Sequence, residues 1–380
     1  MNRIILIGNG FDLAHELSTS YKDFINSCWK KIITELRESR NKEYEDNYVK
    51  LSTSIDTLAH VFSSKNSVCT LDELKKQITS FNAFKSTNVN FSFKNKFFEH
   101  ISRNLGLNNW VDIENEYYNF IKSFINPYKY TGYNYASVSL LNEHFDVIKK
   151  DLENYLKKIM PVRIGLFDEN SGIREIIYSD FKLKDFTEEG AQSMAEKEDF
   201  KMPENILFLS FNYTDLDRLY MNDDGLNREE REKDIIKDSI HIHGLLNKKD
   251  NPIIFGYGDE IDDEYLEIEK QNKNELLENI KSIKYLETDN YKRLIRFMES
   301  DRYQIFILGH SCGNSDRTLL STLFNNDNCV SIKVYYHKKD DGTDNYSDVI
   351  RNISRNFKDK IPMRNKVVNK EYCKPLIGHK

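Results

Sequence analysis

A short glycine-containing segment of the sequence could hold a phosphate group. Residues 8–12 read Gly-Asn-Gly-Phe-Asp and directly follow an apolar run at residues 4–7. Glycines after a buried strand allow a tight turn and close backbone approach, and the next helix offers its first N–H groups to an anion. Leu13 stands where the dinucleotide-binding pattern has its third glycine. Asp12 suits a ribose hydroxyl or a helix cap better than a pyrophosphate, so an ordinary strand–turn–helix corner stays an alternative.

An amide side chain follows a second apolar run. Residues 206–211 are mostly apolar and lead into Asn212. Polar residues at the carboxyl edge of a parallel sheet are placed to bind ligands, so Asn212 could orient a substrate. The alternative is that Asn212 caps a helix predicted over residues 214–220.

Two histidines lie in the segment His-Ile-His-Gly at residues 241–244. In a strand over residues 239–243, His241 and His243 point to the same face. A histidine at this place could exchange protons near neutral pH, or it could be structural. No further histidine or carboxylate stands at a recognisable metal-ligand spacing, so we expect no metal site.

The segment Gly-His-Ser-Cys-Gly at residues 309–313 matches the nucleophile elbow of serine hydrolases. In that class an acidic residue and then a histidine follow the serine along the chain. Here His337 comes directly after the next predicted strand, which leaves no strand before it to carry the acid. A hydrolase that uses Ser311 is therefore an alternative and not our main hypothesis.

Composition and charge exclude several classes of protein. The chain has 380 residues and a net charge of −6, which argues against a nucleic-acid partner held by a general positive field. Its apolar runs reach about four residues, too short for the ~20 that span a bilayer or for a signal-peptide core. Its five cysteines form no CxxC pair, which indicates a reducing compartment. We expect a cytoplasmic protein with no membrane partner.

The elements that must position these side chains alternate along the sequence. Apolar runs predict strands at residues 4–7, 206–211, 239–243, 305–308 and 330–336. Helical periodicity predicts helices at residues 21–36, 214–220, 275–299 and 347–357. Strands that alternate with helices in this way indicate a doubly wound α/β fold with a parallel sheet.

The strand signal is weak between about residues 41 and 200. Helix-like segments cover residues 110–124 and 135–159, and loops are predicted at residues 187–203 and 271–274. We predict three parts of the chain. Residues 1–40 hold the first strand, the nucleotide-binding loop and a helix; residues 41–200 are a mainly helical insertion; residues 201–380 form the remainder of the α/β domain.

Several dispersed segments together resemble one bacterial family. They are IGNGFDLAH at residues 7–15 with SYKDF at 20–24, WVDIE at 110–114, SFNYT at 210–214, IHG at 242–244, and GHS at 309–311 followed by Asp316. This set is similar to the AbiH family of bacterial phage-defence (abortive-infection) proteins. Glu16 stands where the family commonly has glycine. The resemblance implies an antiphage effector and leaves open a phage-derived trigger or partner protein and a homo-oligomer.

A more distant resemblance concerns the chemistry. A glycine-rich loop, then Asn-Tyr after a strand, then His-Gly is an order similar to that of sirtuin-like NAD-consuming domains of antiphage systems. It implies a sirtuin-like, Rossmann-type sheet in which Asn212 and His243 act on the bond between nicotinamide and ribose. Those domains usually have Asp directly after Asn-Tyr, whereas this chain has Thr214 there and Asp215 one position later.

The resemblance thus implies an NAD glycohydrolase, with NAD or a related nucleotide as substrate or ligand and no metal. Asn212 would orient ribose and water, and His243 would act as the base. The residues expected to hold the nucleotide are Gly8, Asn9, Gly10, Asp12, His15, Asp215, Gly309, His310, Ser311 and Asp316. Two alternatives stay open: a nucleotide-sensing or partner-binding module without turnover, and a metal- or serine-dependent hydrolase or nuclease that uses His241 and His243 or Ser311.

Overall fold

The structure, a computed structural model, describes residues 1–62, 70–85, 88–104, 110–160, 171–187, 202–221, 234–258 and 260–376. The chain forms two compact units. One, the α/β unit, comprises Met1–Ser18, Leu156–Lys270 and Asn279–Lys380. The other, the inserted unit, comprises Thr19–Tyr155 and Gln271–Glu278.

The described residues form strands, α-helices and short 3-10 helices. In chain order the strands are β1 (Asn2–Ile7), β2 (Glu43–Glu45), β3 (Val49–Thr53), β4 (Val89–Phe93), β5 (Asn205–Ser210), β6 (Ile236–His241), β7 (Tyr303–Leu308) and β8 (Cys329–Tyr335). The α-helices are α1 (Asn9–Ala14), α2 (Tyr21–Glu38), α3 (Leu58–Phe62), α4 (Leu71–Lys85), α5 (Lys96–Arg103), α6 (Trp110–Ser123), α7 (Val138–Ile159), α8 (Ser171–Ile177), α9 (Arg218–Met221), α10 (Asp263–Glu269), α11 (Lys281–Lys284), α12 (Asn290–Ser300), α13 (Arg317–Asn325), α14 (Tyr346–Asn356) and α15 (Lys360–Lys366). The 3-10 helices are Leu183–Asp185, Asn274–Leu277, Tyr285–Glu287, Asn314–Asp316 and Lys370–Tyr372.

A five-stranded parallel sheet forms the centre of the α/β unit. Its strand order is β6-β5-β1-β7-β8. In the middle strand, Ile4 pairs with Leu207 of β5 and with Ile305 of β7. Counted from β1 along the chain, the order is 3-2-1-4-5, which matches the first five strands of a Rossmann-type fold. The predicted α/β class with a parallel central sheet is therefore confirmed.

The strands β1, β5, β7 and β8 are almost entirely buried, as expected for strands covered on both faces, whereas the edge strand β6 is partly exposed. All six residues of β1 are buried. Ile4 and Leu6 belong to a core cluster on one face that includes residues of α12, α13 and α14. Ile5 and Ile7 belong to a cluster on the other face that includes Phe11 and residues of α8 and α9. Helices on both faces thus hold the strands in place and fix where their ends lie.

The inserted unit contains an antiparallel sheet in the order β2-β3-β4. These three short strands were not predicted in this part of the chain, which was expected to be mainly helical. The three residues of β2 read Glu-Tyr-Glu, and β3 alternates buried with more exposed side chains. Neither strand therefore has the apolar run by which the strands of the parallel sheet were recognised. The helices of the unit include α2, which begins with a capping box between Ser20 and Asp23.

Some elements are shorter than the sequence predicts. Residues 275–299 form α11, most of α12 and 3-10 turns instead of one helix. The interruption has a cause in backbone pairing, because Tyr257 donates its N–H to Asn279 O (3.0 Å) and accepts the N–H of Lys281 (2.8 Å). Within residues 214–220 the helix begins only at Arg218, and the strand predicted over 239–243 ends at His241.

No helix within the described ranges is both long enough and apolar enough to cross a bilayer. The loop predicted at residues 187–203 lies outside the described residues except at its two ends.

Candidate functional site

Four loops of the α/β unit begin at one edge of the parallel sheet. Because β1, β5, β6 and β7 run in the same direction, their carboxyl ends lie at the same edge, where the strand order reverses between β1 and β7. This edge is where open α/β sheets bind ligands. Buried polar side chains of these loops and their partners form what we call the carboxyl-edge cluster: Asp12, Asn212, Thr214, Asp217, His241, His243, Lys281, His310 and Asp316.

The loops after β1 and β7 cross in direct backbone contact. Gly10 donates its N–H to Gly309 O at 2.8 Å. A Cβ atom on Gly8 would lie 2.5 Å from His310 Cα, and one on Gly10 would lie 2.7 Å from Gly309 Cα. Gly309 itself has φ +74°, and a Cβ there would overlap Phe11 N. The crossing of the two loops is thus a sufficient reason for these glycines.

Asp12 lies at the centre of a hydrogen-bonded group. Asn212 Nδ2 donates to Asp12 Oδ1 (2.7 Å) and to Gly8 O (3.0 Å). Thr214 Oγ1 donates to Asp12 Oδ2 at 2.8 Å. Asn212 does not cap the predicted helix, because α9 begins six residues later at Arg218. The Asn212 amide instead joins the loop after β5 to the loop after β1.

The environment of Asp12 changes its acidity. Burial raises the pKa of its carboxyl to about 7, although the hydrogen bonds from Thr214 and Asn212 act in the opposite direction. Asp12 is therefore divided between its neutral and charged forms near pH 7. A carboxyl with such a pKa can both accept and donate a proton, which is the property that general acid–base catalysis uses.

His241 pairs with a carboxylate that the sequence analysis did not single out. Its Nε2 lies 3.3 Å from Asp217 Oδ1, and Ser239 donates to Asp217 Oδ2 at 2.5 Å. Burial lowers the pKa of His241, but the hydrogen bond and charge of Asp217 outweigh it and raise this pKa above its ordinary value. His241 and Asp217 thus form a buried ion pair beside the Asp12 group.

His243 belongs to a different group from His241. Because β6 ends at His241, the two histidines are not on one strand face, and each contacts its own carboxylate. His243 Nε2 lies 3.2 Å from Asp316 Oδ1, which also accepts a hydrogen bond from Lys281 Nζ at 2.8 Å. Burial, followed by the Lys281 cation, lowers the pKa of His243 to about 4. His243 is therefore neutral at pH 7.

Asp316 is the common acceptor of this second group. His310 Nε2 lies 3.5 Å from Asp316 Oδ2, and His310 Nδ1 accepts the N–H of Cys312 at 2.9 Å. Burial raises the pKa of Asp316, but Lys281 and His243 lower it well below its ordinary value. Asp316 and His310, which were expected to hold the nucleotide, are thus both buried and both contact other groups of the protein.

The described surroundings of Ser311, the serine of the elbow-like segment, differ from those of a serine nucleophile. Among the described residues, neither a histidine nor a carboxylate hydrogen-bonds to the Ser311 hydroxyl, and the backbone carbonyl of Ser311 accepts from Asn352 at 2.8 Å. The adjacent Cys312 is buried, and burial raises the pKa of its thiol, which keeps it in the unreactive form.

The other predicted nucleotide-binding residues lie in more varied settings. Asn9 and Gly10 are partly exposed at the start of α1. His15 Nδ1 donates to Phe11 O (2.7 Å), and its Nε2 accepts from the Tyr220 hydroxyl (2.7 Å), so this ring joins α1 to α9. Asp215 is partly exposed and lies 3.4 Å from Arg218.

Sequence reasoning missed Thr214, Asp217 and Lys281 as members of the cluster. Thr214 and Asp217 stand in the polar run that follows β5, so their position was a usable signal. Lys281 was hidden inside a predicted helix, and only the backbone pairing with Tyr257 reveals its inward position. Within the described residues, no three His, Cys, Asp or Glu side chains have the arrangement of a metal site.

Comparison with known proteins identifies a family. A family model described as bacteriophage abortive infection AbiH matches residues 4–337, a range that contains every member of the carboxyl-edge cluster. No curated protein and no solved structure matches the chain. The family match extends over most of the 380 residues and takes in the segments on which the resemblance was based. The chain therefore belongs to the AbiH family of bacteriophage abortive infection proteins.

Proposed function

We propose that this AbiH chain acts in abortive infection by binding NAD or a related nucleotide and hydrolysing the bond between nicotinamide and ribose. The observation that carries the proposal is the convergence of Asp12, Asn212 and His243 at one carboxyl edge of a Rossmann-type sheet. The sirtuin-like order of the Asn-Tyr and His-Gly segments supports the same chemistry.

The charges of the cluster suit this reaction. Cleavage of an N-glycosidic bond builds positive charge on the ribose, as in other glycoside hydrolyses. The charged form of Asp12, which coexists with the neutral form near pH 7 because its pKa is about 7, would stabilise that charge or bind a ribose hydroxyl. Asn212 holds Asp12 in place and would orient the attacking water.

His243 would take the proton of the water. At pH 7 its imidazole is neutral, because burial and Lys281 lower its pKa to about 4. Such a weak base suffices when the ribose is already strongly electrophilic in the transition state. No metal is needed in this scheme, since the Lys281 ammonium already provides the cation beside Asp316.

Nicotinamide release tests the proposal. Purified protein is incubated with NAD, with and without divalent metal, and nicotinamide is measured by chromatography. We expect metal-independent release by the wild type and a loss of at least about 100-fold in Asn212→Ala and in His243→Ala. Melting temperature and dinucleotide binding are measured on the same samples.

Two polar side chains of the inserted unit serve as controls: Asn142, which is buried, and His100, which is partly exposed. Asn142 bonds Glu278, and His100 contacts Glu116, so Asn142→Ala and His100→Ala remove comparable interactions elsewhere. We expect both controls to retain nicotinamide release per folded molecule. NAD binding without release by the wild type would reject hydrolysis in favour of a sensing module. Unchanged specific activity in Asn212→Ala and His243→Ala would assign both residues to structure.

A further inference from the structure

Two histidine–carboxylate pairs in the carboxyl-edge cluster have opposite electrostatic settings. In one pair, Asp217 contacts His241 and a neutral hydroxyl, that of Ser239. In the other, Asp316 contacts His243 and the Lys281 ammonium. Both carboxylates are buried, so water does little to screen these differences.

The contacts of Asp316 determine the tautomer of His243. An ionised carboxylate only accepts hydrogen bonds, so the nitrogen that faces Asp316 must carry a proton. That nitrogen is Nε2, at 3.2 Å from Asp316 Oδ1 and at 3.2 Å from the Tyr285 hydroxyl. Among the residues that the structure describes, none hydrogen-bonds to His243 Nδ1. The lone pair of the neutral ring therefore lies on Nδ1.

Burial is the largest cause of the lowered pKa that keeps this ring neutral, and the Lys281 charge is the next. A carboxylate alone stabilises the imidazolium form, as Asp217 does for His241, whose pKa is raised. With Lys281 Nζ 2.8 Å from the same oxygen, the charge of Asp316 is already balanced. The titratable and charged groups that face His243 are Asp316, Lys281, His310 and the Tyr285 hydroxyl, and of the charges only Asp316 favours the imidazolium.

We propose that Lys281 and Asp316 are a positioning pair that holds His243 as the neutral tautomer with its lone pair on Nδ1, ready to accept a proton. This inference rests on the proposed role of His243 in nucleotide cleavage. Asp316 fixes the orientation of the ring, and Lys281 prevents Asp316 from converting the base into an imidazolium. Neither residue has to touch the substrate, so Asp316, which was expected to bind the nucleotide, acts through His243.

The test follows the protonation of His243 directly. The full-length protein is labelled with ¹³C at the histidine rings, and the His243 signal is assigned by its loss in His243→Gln. We expect Lys281→Met to move the His243 pKa above its ordinary value of about 6.5. The double variant Lys281→Met/Asp316→Asn, which has neither charge, should return the pKa to the wild-type range. Lys281→Gln repeats the test if Lys281→Met does not fold.

A second buried lysine gives the matched control. Lys333 Nζ lies 2.8 Å from Asp185 and is 3% exposed, against 1% for Lys281. Lys333→Met should therefore disturb folding to a similar degree and leave the His243 pKa unchanged. An unchanged His243 pKa in Lys281→Met, or an equal shift in Lys333→Met, would overturn the inference.

The pH profile separates this inference from the proposed function. In Lys281→Met, nicotinamide release should fall at least tenfold at pH 6 and recover above pH 8, where His243 is again neutral. A raised His243 pKa in Lys281→Met with no nicotinamide release by the wild type would reject NAD cleavage and keep the positioning pair. A raised pKa with an unshifted pH profile would show that His243 is not the base.

Discussion

The surroundings of the Asp12 carboxyl explain why its pKa is raised. It is 2% exposed, yet its hydrogen bonds come from neutral donors, Asn212 and Thr214. Neutral donors compensate only part of the loss of water around a charge, so burial dominates and the pKa rises. Asp217, with a histidine beside it, shows the opposite result, since its pKa is lowered.

Because the pKa of Asp12 is raised and that of Asp217 is lowered, we expect mutations of the two residues to change stability in opposite directions. The folded pKa of Asp12 is about 7 against 3.8 for the free group, so its contribution is full below about pH 4 and is lost as pH rises through 7. Asp12→Asn should therefore raise the free energy of unfolding at pH 8 by at most about 4 kcal/mol, at about 1.4 kcal/mol per pKa unit. The melting temperature should rise with it at pH 8 and change little at pH 4.

Asp217→Asn is the control of opposite sign. Because the pKa of Asp217 is lowered in the folded state, its contribution is present above the unfolded pKa and is lost in acid. We expect Asp217→Asn to lower the melting temperature at pH 8. Calorimetry of both variants at pH 4 and pH 8 checks the pair, and a drop for Asp12→Asn at pH 8 would contradict the assigned pKa. Nicotinamide release should fall in Asp12→Asn even though the fold becomes more stable.

At the scale of elements, the loops after β1 and β7 depend on each other. Gly309 has no room for a Cβ atom, because Phe11 N and Gly10 lie against it, and its φ is +74°. Gly342 has a similar φ of +83° but open space around it. The two glycines therefore separate the effect of backbone strain from the effect of crowding.

Gly309→Ala and Gly342→Ala form a matched comparison. In both variants the alanine must adopt a left-handed backbone conformation, which destabilises the folded state by about 1–2 kcal/mol. Gly309→Ala must also push apart the loops after β1 and β7, so we expect it to lose several kcal/mol and to reduce NAD binding. Urea unfolding and nucleotide titration measure the two effects. Equal destabilisation of the two variants would mean that the loops separate easily.

The elements of the parallel sheet could be predicted because they follow a simple rule. A strand covered on both faces is an unbroken apolar run, and β1, β5 and β7 have this pattern. The strands of the inserted unit do not, since β2 is polar and three residues long. The break before α11 depends on pairing with Tyr257, which no local pattern in residues 275–299 indicates.

The residues of the candidate site likewise fall into two sets, those that could be predicted from the sequence and those that could not. Asn212 and His243 could be found because each stands at or just beyond a strand end, a position that topology brings to one edge. Which carboxylate each histidine meets could not be found, because Asp217 and Asp316 reach the cluster from loops whose course depends on packing. Lys281 could not be predicted for the same reason, although its charge, after burial, is the main cause of the lowered pKa of His243.

At the scale of the whole molecule, the strands that pair with the central strand β1 lie far from it in the sequence. β1 pairs with β5 and with β7, and both pairings are needed to bury its two edges. A chain that stops after Asp301 lacks β7, β8 and Asp316. We expect its α/β unit to be cleaved rapidly in limited proteolysis, whereas a chain that stops after Leu376 should resist like the full protein. Resistance of the shorter chain would show that β7 is dispensable for the sheet.

The long sequence separation between β1 and β7 also has a consequence during synthesis on the ribosome. At about 5–20 residues per second, the roughly 300 residues between them take about 15–60 s to synthesise. Until β7 has emerged, β1 has one open edge, and Gly10 and His243 lack the groups that they contact at Gly309 and Asp316. A nascent or interrupted chain that stops before β7 therefore has no assembled cluster, and the proposed activity requires that β7 and Asp316 have been synthesised.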